Sequence, residues 1–208
     1  MTSNFESLAK PILLKEKDPI LSATKAPDNV LWIARAVILR ETAGKPEVLI
    51  CRGKQSKNSD IQNKDELPGG KQDPETTLPA TARREIVEET HVPVDLSGNA
   101  VLFEITTLPY IEGSAYNGLT AQKYAFFGRP LLDVEPETSQ EHRGAEYRSL
   151  GDVIRHATGN EKGKTYTSDV PIALAALALH NEEFRRYLSP EELVMLGVFQ
   201  NELAIVER

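Results

Sequence analysis

A pair of glycines followed by a segment carrying three carboxylates at helical spacing constrains this chain more than any other feature. Residues 69–92 read GGKQDPETTLPATARREIVEETHV, with Arg84, Glu85, Ile86, Val87, Glu88 and Glu89 at the centre. If residues 77–90 are helical, ~100° of turn per residue places Glu85, Glu88 and Glu89 within one arc of about 100°. Like charges three and four residues apart repel, so such a face calls for a neutralising partner. A divalent cation meets that need, because hard ions such as Mg²⁺ take oxygen ligands and keep some of their own water for substrate phosphates. Arg84 stands four residues before Glu88, close enough to pair with it and fix its direction. Upstream, Pro68, Gly69 and Gly70 break any regular element, and glycine lets a backbone carbonyl approach a metal closely. For an isolated E-x-x-E-E the alternative is a solvated acidic surface. The wider pattern separates the two readings.

That wider pattern resembles the signature of the Nudix hydrolases, G-x5-E-x7-R-E-U-x-E-E-x-G-U with U apolar. Gly70, Arg84, Glu85, Ile86, Glu88, Glu89 and Val92 fall at the family's positions with the full spacing kept. Two positions depart from it. The first glutamate position holds Thr76, with Glu75 one place early, and the late glycine position holds His91. Glu75 is expected at the start of the helix, where a negative charge suits the helix dipole. Glycine suits the later position because a chain leaving a helix often turns left-handed, a conformation that histidine enters only at some cost.

The resemblance implies an α/β fold, specifically an α/β/α sandwich with a mixed sheet, over roughly residues 29–155. It implies hydrolysis of a diphosphate linked to another group, often a nucleoside. Glu85, Glu88 and Glu89 would hold Mg²⁺, or Mn²⁺ in its place, aided by the Gly70 carbonyl, with Arg84 as orienter. Removal of a proton from the attacking water falls to Glu88 or to Glu141. Glu141 enters because the pair Glu141-His142 is similar to a late-loop segment of the family from which a carboxylate reaches the active site; Glu137 is a weaker rival. The competing class is a Nudix-shaped module that senses nucleotides without hydrolysing them. Loss of a core glutamate would favour it, and none is lost.

Composition narrows the partners. With 31 acidic against 24 basic residues the net charge is −7, which argues against broad binding to a nucleic acid polymer or an anionic membrane. A small anionic nucleotide remains compatible if a metal and a few local cations receive it. The 208 residues suit one substantial domain with extensions, and 40% apolar against 26% charged residues is a globular balance. Cys51, the single cysteine, lies in an apolar run and reads as a buried small residue. No basic start followed by an apolar run opens the sequence, so a cytoplasmic protein is the expectation.

Along the chain, residues 1–28 read as a packed N-terminal extension interrupted by Pro11, Pro19 and Pro27, and residues 29–208 as the Nudix domain with C-terminal helices. VLWIARAVILR (30–40) and EVLICR (47–52) read as a hairpin of strands with a turn over 41–46, and Trp32 as core. GKQSKNSDIQNKDE (53–66) reads as a polar loop on the active-site side. Its lysines, with Arg52 and Lys71, offer cations to substrate phosphates. Residues 95–99 read as a turn, 100–107 and 119–127 as strands, and 145–150 as a strand entering a helix near 152–156. Residues 169–187 read as one helix, and Ser189-Pro190 starts a last one reaching about Val206.

For the substrate, the family resemblance offers two clues that coincide. A proline about sixteen residues beyond the motif goes with ADP-ribose hydrolysis and a tyrosine about eighteen beyond it with dinucleoside polyphosphates; Pro109 and Tyr110 stand at the seventeenth and eighteenth places. Tyr110 or Tyr116 offers a ring on which a base can stack. ADP-ribose or a related nucleotide sugar is favoured over nucleoside triphosphates.

Overall fold

The computed structural model describes residues 10–54, 62–108, 115–137, 139–159 and 165–197. The elements in chain order are β1 (Ile12–Leu14), α1 (Pro19–Ser22), β2 (Val30–Thr42), β3 (Lys45–Arg52), α2 (Leu78–Thr90), β4 (Val94–Thr107), β5 (Thr120–Pro130), β6 (Gly144–Ser149), α3 (Leu150–Thr158), α4 (Asp169–His180), α5 (Glu182–Arg185) and α6 (Pro190–Met195). The strands form one sheet in the order β1-β4-β5-β2-β3-β6. Only β2 and β5 pair in parallel, so the sheet is mixed.

Alternation along β2 builds both layers. Trp32, Ala34, Ala36 and Ile38 enter one apolar cluster with Leu78, Ala82 and Ile86 of α2. Val37 and Leu39 enter the other, with residues of α3 and α4 and with Phe184 and Leu193. A strand buried on both faces is favoured where helices cover both sides, and here they do, giving the α/β/α sandwich. Ile86 is fully buried, a contribution of about 2–3 kcal/mol.

The sequence reading needs four adjustments. The turn between the first two long strands is tighter than 41–46: Thr42 pairs with Lys45, and only Ala43 (φ 51°) and Gly44 (φ 75°) stand outside the ladder. Two positive φ values in a two-residue loop match the twist of the flanking strands. Residues 95–99 do not end a strand, because β4 pairs with β5 on both sides of a register shift between Leu96 and Ala100. The turn formers are absorbed as a bulge, with Asn99 Oδ1 accepting from the Glu16 N–H at 2.9 Å. The helix expected over 169–187 breaks at Asn181, whose side chain accepts from the Phe184 N–H and starts α5. The last helix, α6, has a full capping box at Ser189 and Glu192 but ends at Met195, with Leu196 and Gly197 (φ 71°) in a turn, so it does not run on as expected; residues 198–206 of the expected helix lie outside the described residues.

The N-terminal segment also gains definition. β1 adds to the outer edge of β4, and Leu14 and Leu21 are buried in the cluster beneath α2. Among the described residues no helix is long and apolar enough to cross a membrane.

Candidate active site

Helix α2 carries the site, and its ends are set by local chemistry. The Thr77 side chain caps the amino end by accepting from the Ala80 N–H, and a proline occupies the first turn, where its missing N–H costs nothing. The carboxyl end closes at His91 in the left-handed conformation (φ 58°, ψ 15°), its N–H bonded to the Val87 carbonyl. The position that the family pattern reserves for glycine is thus a left-handed cap here, held by histidine.

Before the helix, residues 68–72 run along the edge of β2. The Ala36 and Ala34 N–H groups donate to the Pro68 and Gly70 carbonyls, and the Gln72 N–H donates to the Trp32 carbonyl, all at 2.9 Å. This pressing of backbone on backbone explains the glycines. A Cβ on Gly69 (φ 138°) would stand 2.1 Å from the Ala34 oxygen, and one on Gly70 would stand 2.3–2.5 Å from the Glu85 carboxyl group. Glu85 therefore rests its carboxylate on the bare Cα of Gly70. The Gly70 carbonyl oxygen keeps one lone pair beyond its bond to Ala34.

Arg84 organises the outer carboxylates. Its guanidinium donates to Glu88 Oε2 at 2.6 Å and to Glu85 Oε1 at 2.7 Å, and it also lies 2.7 Å from Asp73 Oδ2. Burial raises the Glu85 carboxyl above its ordinary value; Arg84 pulls it down, while the charges of Glu88 and Glu141 push it further up. Glu141 itself is exposed, its N–H donating to Ser139 Oγ. Glu137 instead sits at the end of α2, with its N–H on the Thr90 carbonyl and its side chain 3.9 Å from His91 Nδ1.

Glu89 points inward and is only 4% exposed. Oε2 accepts from the Gly69 N–H at 2.8 Å, and Oε1 lies 3.8 Å from His142 Nδ1. Burial pushes its carboxyl up to about 7, against the pull of His142, the Gly69 N–H and Arg35. His142 Nε2 lies 3.0 Å from Glu66 Oε1, and Glu66, Glu89 and His142 converge as a buried cluster. Glu66 carries further partners: Arg35 at 3.1 Å on Oε2 and Lys54 on Oε1. Burial works to raise the Glu66 carboxyl, yet Arg35, His142 and Lys54 outweigh it and hold the group down at about 2.

Sequence reading missed Glu66, His142 and Arg35. It took residues 53–66 as a polar loop, whereas Asp65 and Glu66 at its end are buried. It took Glu141 from the pair Glu141-His142 and passed over the histidine, the buried member. Of the cations set aside for phosphate, Lys71 lies over the Tyr116 ring at 4.0 Å from its centre. Arg52 is ion-paired with Glu146 at 3.1 Å. Pro109 and Tyr110 lie outside the described residues.

The donor set fits a hard divalent ion. Glu85, Glu88, Glu89 and the Gly70 carbonyl offer oxygen alone, as Mg²⁺ and Mn²⁺ prefer. The charge balance fits as well, since Arg84 is the only base ion-paired with Glu85 and Glu88 among the described residues, and Glu89 holds its proton more firmly than an ordinary carboxyl. The Glu66 cluster differs. Its carboxylate is already shared by a guanidinium, an ammonium and an imidazole, so it needs no ion for neutrality.

The model of the NUDIX domain matches residues 30–169. The chain belongs to the Nudix family. A NUDIX hydrolase from Nitrosomonas europaea shares the fold, with a TM-score of 0.53, 19% identity, and coverage of 89% of this chain and 93% of that one. An Ap4A hydrolase of C. elegans in a binary complex aligns over 84% of this chain and 98% of its own, with 20% identity and a TM-score of 0.46. A MutT/nudix family protein from Enterococcus faecalis aligns over 60% of this chain, with 14% identity and a TM-score of 0.42, and the chain spans about half (46%) of its length. No match is found among curated proteins.

Proposed function

We propose that this Nudix protein hydrolyses the pyrophosphate bond of a nucleoside diphosphate linked to another group, with ADP-ribose or a nucleotide sugar as the favoured substrate class. The observation that carries the reading is the pairing of Glu85 and Glu88 on Arg84, with Glu85 resting on Gly70, Glu89 taking the neighbouring Gly69 N–H, and Lys71, the next residue after Gly70, lying over the Tyr116 ring.

Glu85, Glu88, Glu89 and the Gly70 carbonyl are the residues that would hold Mg²⁺ or Mn²⁺. When bound, such an ion supplies charge neutralisation at the phosphoryl oxygens and a site for water. The protein's own part is positional. Arg84 fixes the directions of Glu85 and Glu88 through two charge-assisted hydrogen bonds. Glu88, exposed on the helix, and Glu141, whose charge acts on Glu85, are the two carboxylates suited to accept the proton of the attacking water. Lys71 brings a positive charge to the edge of the site and stacks it on Tyr116, a pairing suited to a phosphate joined to a base. Arg52, at the end of β3, is a second cation for the far phosphate. The net charge of −7 leaves small nucleotides as partners rather than nucleic acid polymers.

The test is kcat/KM for ADP-ribose, diadenosine polyphosphates and nucleoside triphosphates, with Tyr116→Ala beside wild type. ADP-ribose or a nucleotide sugar should lead, and Tyr116→Ala should raise KM. A tenfold or greater preference for a triphosphate, with no effect of Tyr116→Ala, refutes both the substrate class and the stacking role.

A further inference from the structure

Beneath the carboxylate helix runs a chain of buried charges to which none of the roles above gives a task. Arg35 stands on β2 between Ala34 and Ala36, and its side chain is only 11% exposed. Nη1 donates to the Gly69 carbonyl at 2.7 Å and to the Leu67 carbonyl at 3.3 Å; Nη2 donates to Glu66 Oε2 at 3.1 Å. Nε lies 3.4 Å from Asp169 Oδ2, at the first residue of α4. The other oxygen of Asp169 takes Lys123 Nζ at 2.7 Å, and that ammonium also holds Glu104 at 2.8 Å.

Two features separate this arrangement from an ordinary core ion pair. First, one guanidinium gathers two carbonyls of the glycine loop, two residues apart, together with the carboxylate that precedes them. The Gly69 backbone is thereby held on both sides of its Cα: its carbonyl on Arg35 and its N–H on Glu89. Secondly, the position invites an apolar side chain. Val37 and Leu39, next along the same face of β2, pack into the helix-covered cluster, and removing a guanidinium from water costs more than packing an aliphatic chain there. Fixing the loop is what Arg35 supplies in return.

We propose that Arg35 is a positioning residue for the metal-binding end of the site. It sets the Gly69 backbone, and so the seats of Glu89 and Glu85, while Asp169 orients the guanidinium and ties the start of α4 to the glycine loop. His142 braces the Glu89 carboxylate from the other side, lying 3.8 Å from Glu89 and itself held 3.0 Å from Glu66. A lysine cannot replace the arginine, since one ammonium on a flexible stem lacks the planar fork that serves two carbonyls and a carboxylate at once. The inference deepens the hydrolase reading and rests on it for its catalytic consequence.

The experiment compares wild type with Arg35→Met, Arg35→Lys and Asp169→Asn in the full chain. Three quantities are read: Mn²⁺ affinity by electron paramagnetic resonance, kcat and KM on the diphosphate panel, and amide exchange of residues 67–72 without metal. Arg35→Met should weaken Mn²⁺ binding and lower kcat, each by about 10- to 100-fold, with KM little changed and faster exchange at Gly69. Arg35→Lys should recover little of either, and Asp169→Asn should move both in the same direction by a smaller factor. A folded Arg35→Met with wild-type Mn²⁺ affinity and unchanged exchange overturns the proposal. If that variant does not fold, Asp169→Asn decides, and wild-type values in all three readouts refute the assignment. A wild-type protein that cleaves nothing on the panel, while its Arg35 variants still loosen residues 67–72, sinks the hydrolase reading and upholds the positioning role.

Discussion

Glu66→Gln removes one charge from the brace under α2 and leaves its shape. In the folded chain the Glu66 carboxyl sits at about 2 against an ordinary 4.5, because Arg35, His142 and Lys54 more than offset the burial that would raise it. At ~1.4 kcal/mol per pH unit, this depression is a stabilisation of about 3 kcal/mol at neutral pH. The side chain is only 2% exposed, so solvent screening takes little from that figure. Removing one partner of a buried ion pair costs about 3–5 kcal/mol, the same order. The sign follows from proton counting. Between about 2 and 4.5 the unfolded chain binds the proton and the folded chain does not, so this contribution is complete above 4.5 and lost as pH falls through 2. Urea unfolding of wild type and Glu66→Gln, with chelator present, should show a gap of about 3 kcal/mol at pH 7 that persists to about pH 5 and narrows steadily below it. A gap that stays constant down to pH 3, or one below about 1 kcal/mol at pH 7, refutes the assignment of Glu66 as the charge that Arg35 and Lys54 hold.

Three further outcomes are expected. Glu88→Gln and Glu89→Gln should each lower turnover by orders of magnitude with the circular dichroism of the fold intact, and full activity in either would remove the metal mechanism. Mg²⁺ or Mn²⁺ at a hundredfold excess over Kd should add about 2.7 kcal/mol, or roughly 5–10 °C in Tm, and Glu89→Gln should remove most of that gain; a Tm indifferent to either ion refutes the site. His91→Gly should stabilise the protein by about 1 kcal/mol or less, since the left-handed cap at φ 58° strains histidine and, among the described residues, its ring has only a distant, exposed ion-pair contact with Glu137. A clear loss of stability in the chevron or the melt would mean that the imidazole has a partner of greater weight.

What could be read in the sequence was local, and what could not was assembled from distant pieces. The carboxylate helix was legible because Thr77, the proline after it and the apolar spacing of Leu78, Ala82 and Ile86 all point to the same element. β2 and β3 were legible from branched residues in short runs. Residues 95–99 read as a turn because serine, glycine and asparagine signal turns, and nothing in the local pattern announces that β5 continues beside them. α4 and α5 read as one helix because alanine and leucine keep the period up to Asn181, and the asparagine shows its role only through the bond it makes. The brace was invisible for a plainer reason. Glu66 and His142 are 76 residues apart, and Arg35, lying within an apolar strand, has no local partner to betray its task.

The central parallel pair has a consequence for the order in which this protein comes into being. β2 and β5 lie side by side from Val30 with Thr120 to Ile38 with Gly128, positions about ninety residues apart in the chain. Everything between them, including β3, α2 and β4, is the crossover that joins those two strands. The closing of so long a loop precedes any return from the contacts it makes, so folding should be slow beside that of a helical bundle of the same size. During synthesis the carboxylate helix emerges well before the strand that completes the sheet beside β2. A nascent chain halted before Thr120 should therefore carry every glutamate of the motif and yet show no specific affinity for a divalent ion, because the stretch of β2 on which the glycine loop rests, residues 30–38, gains its strand partner only with β5.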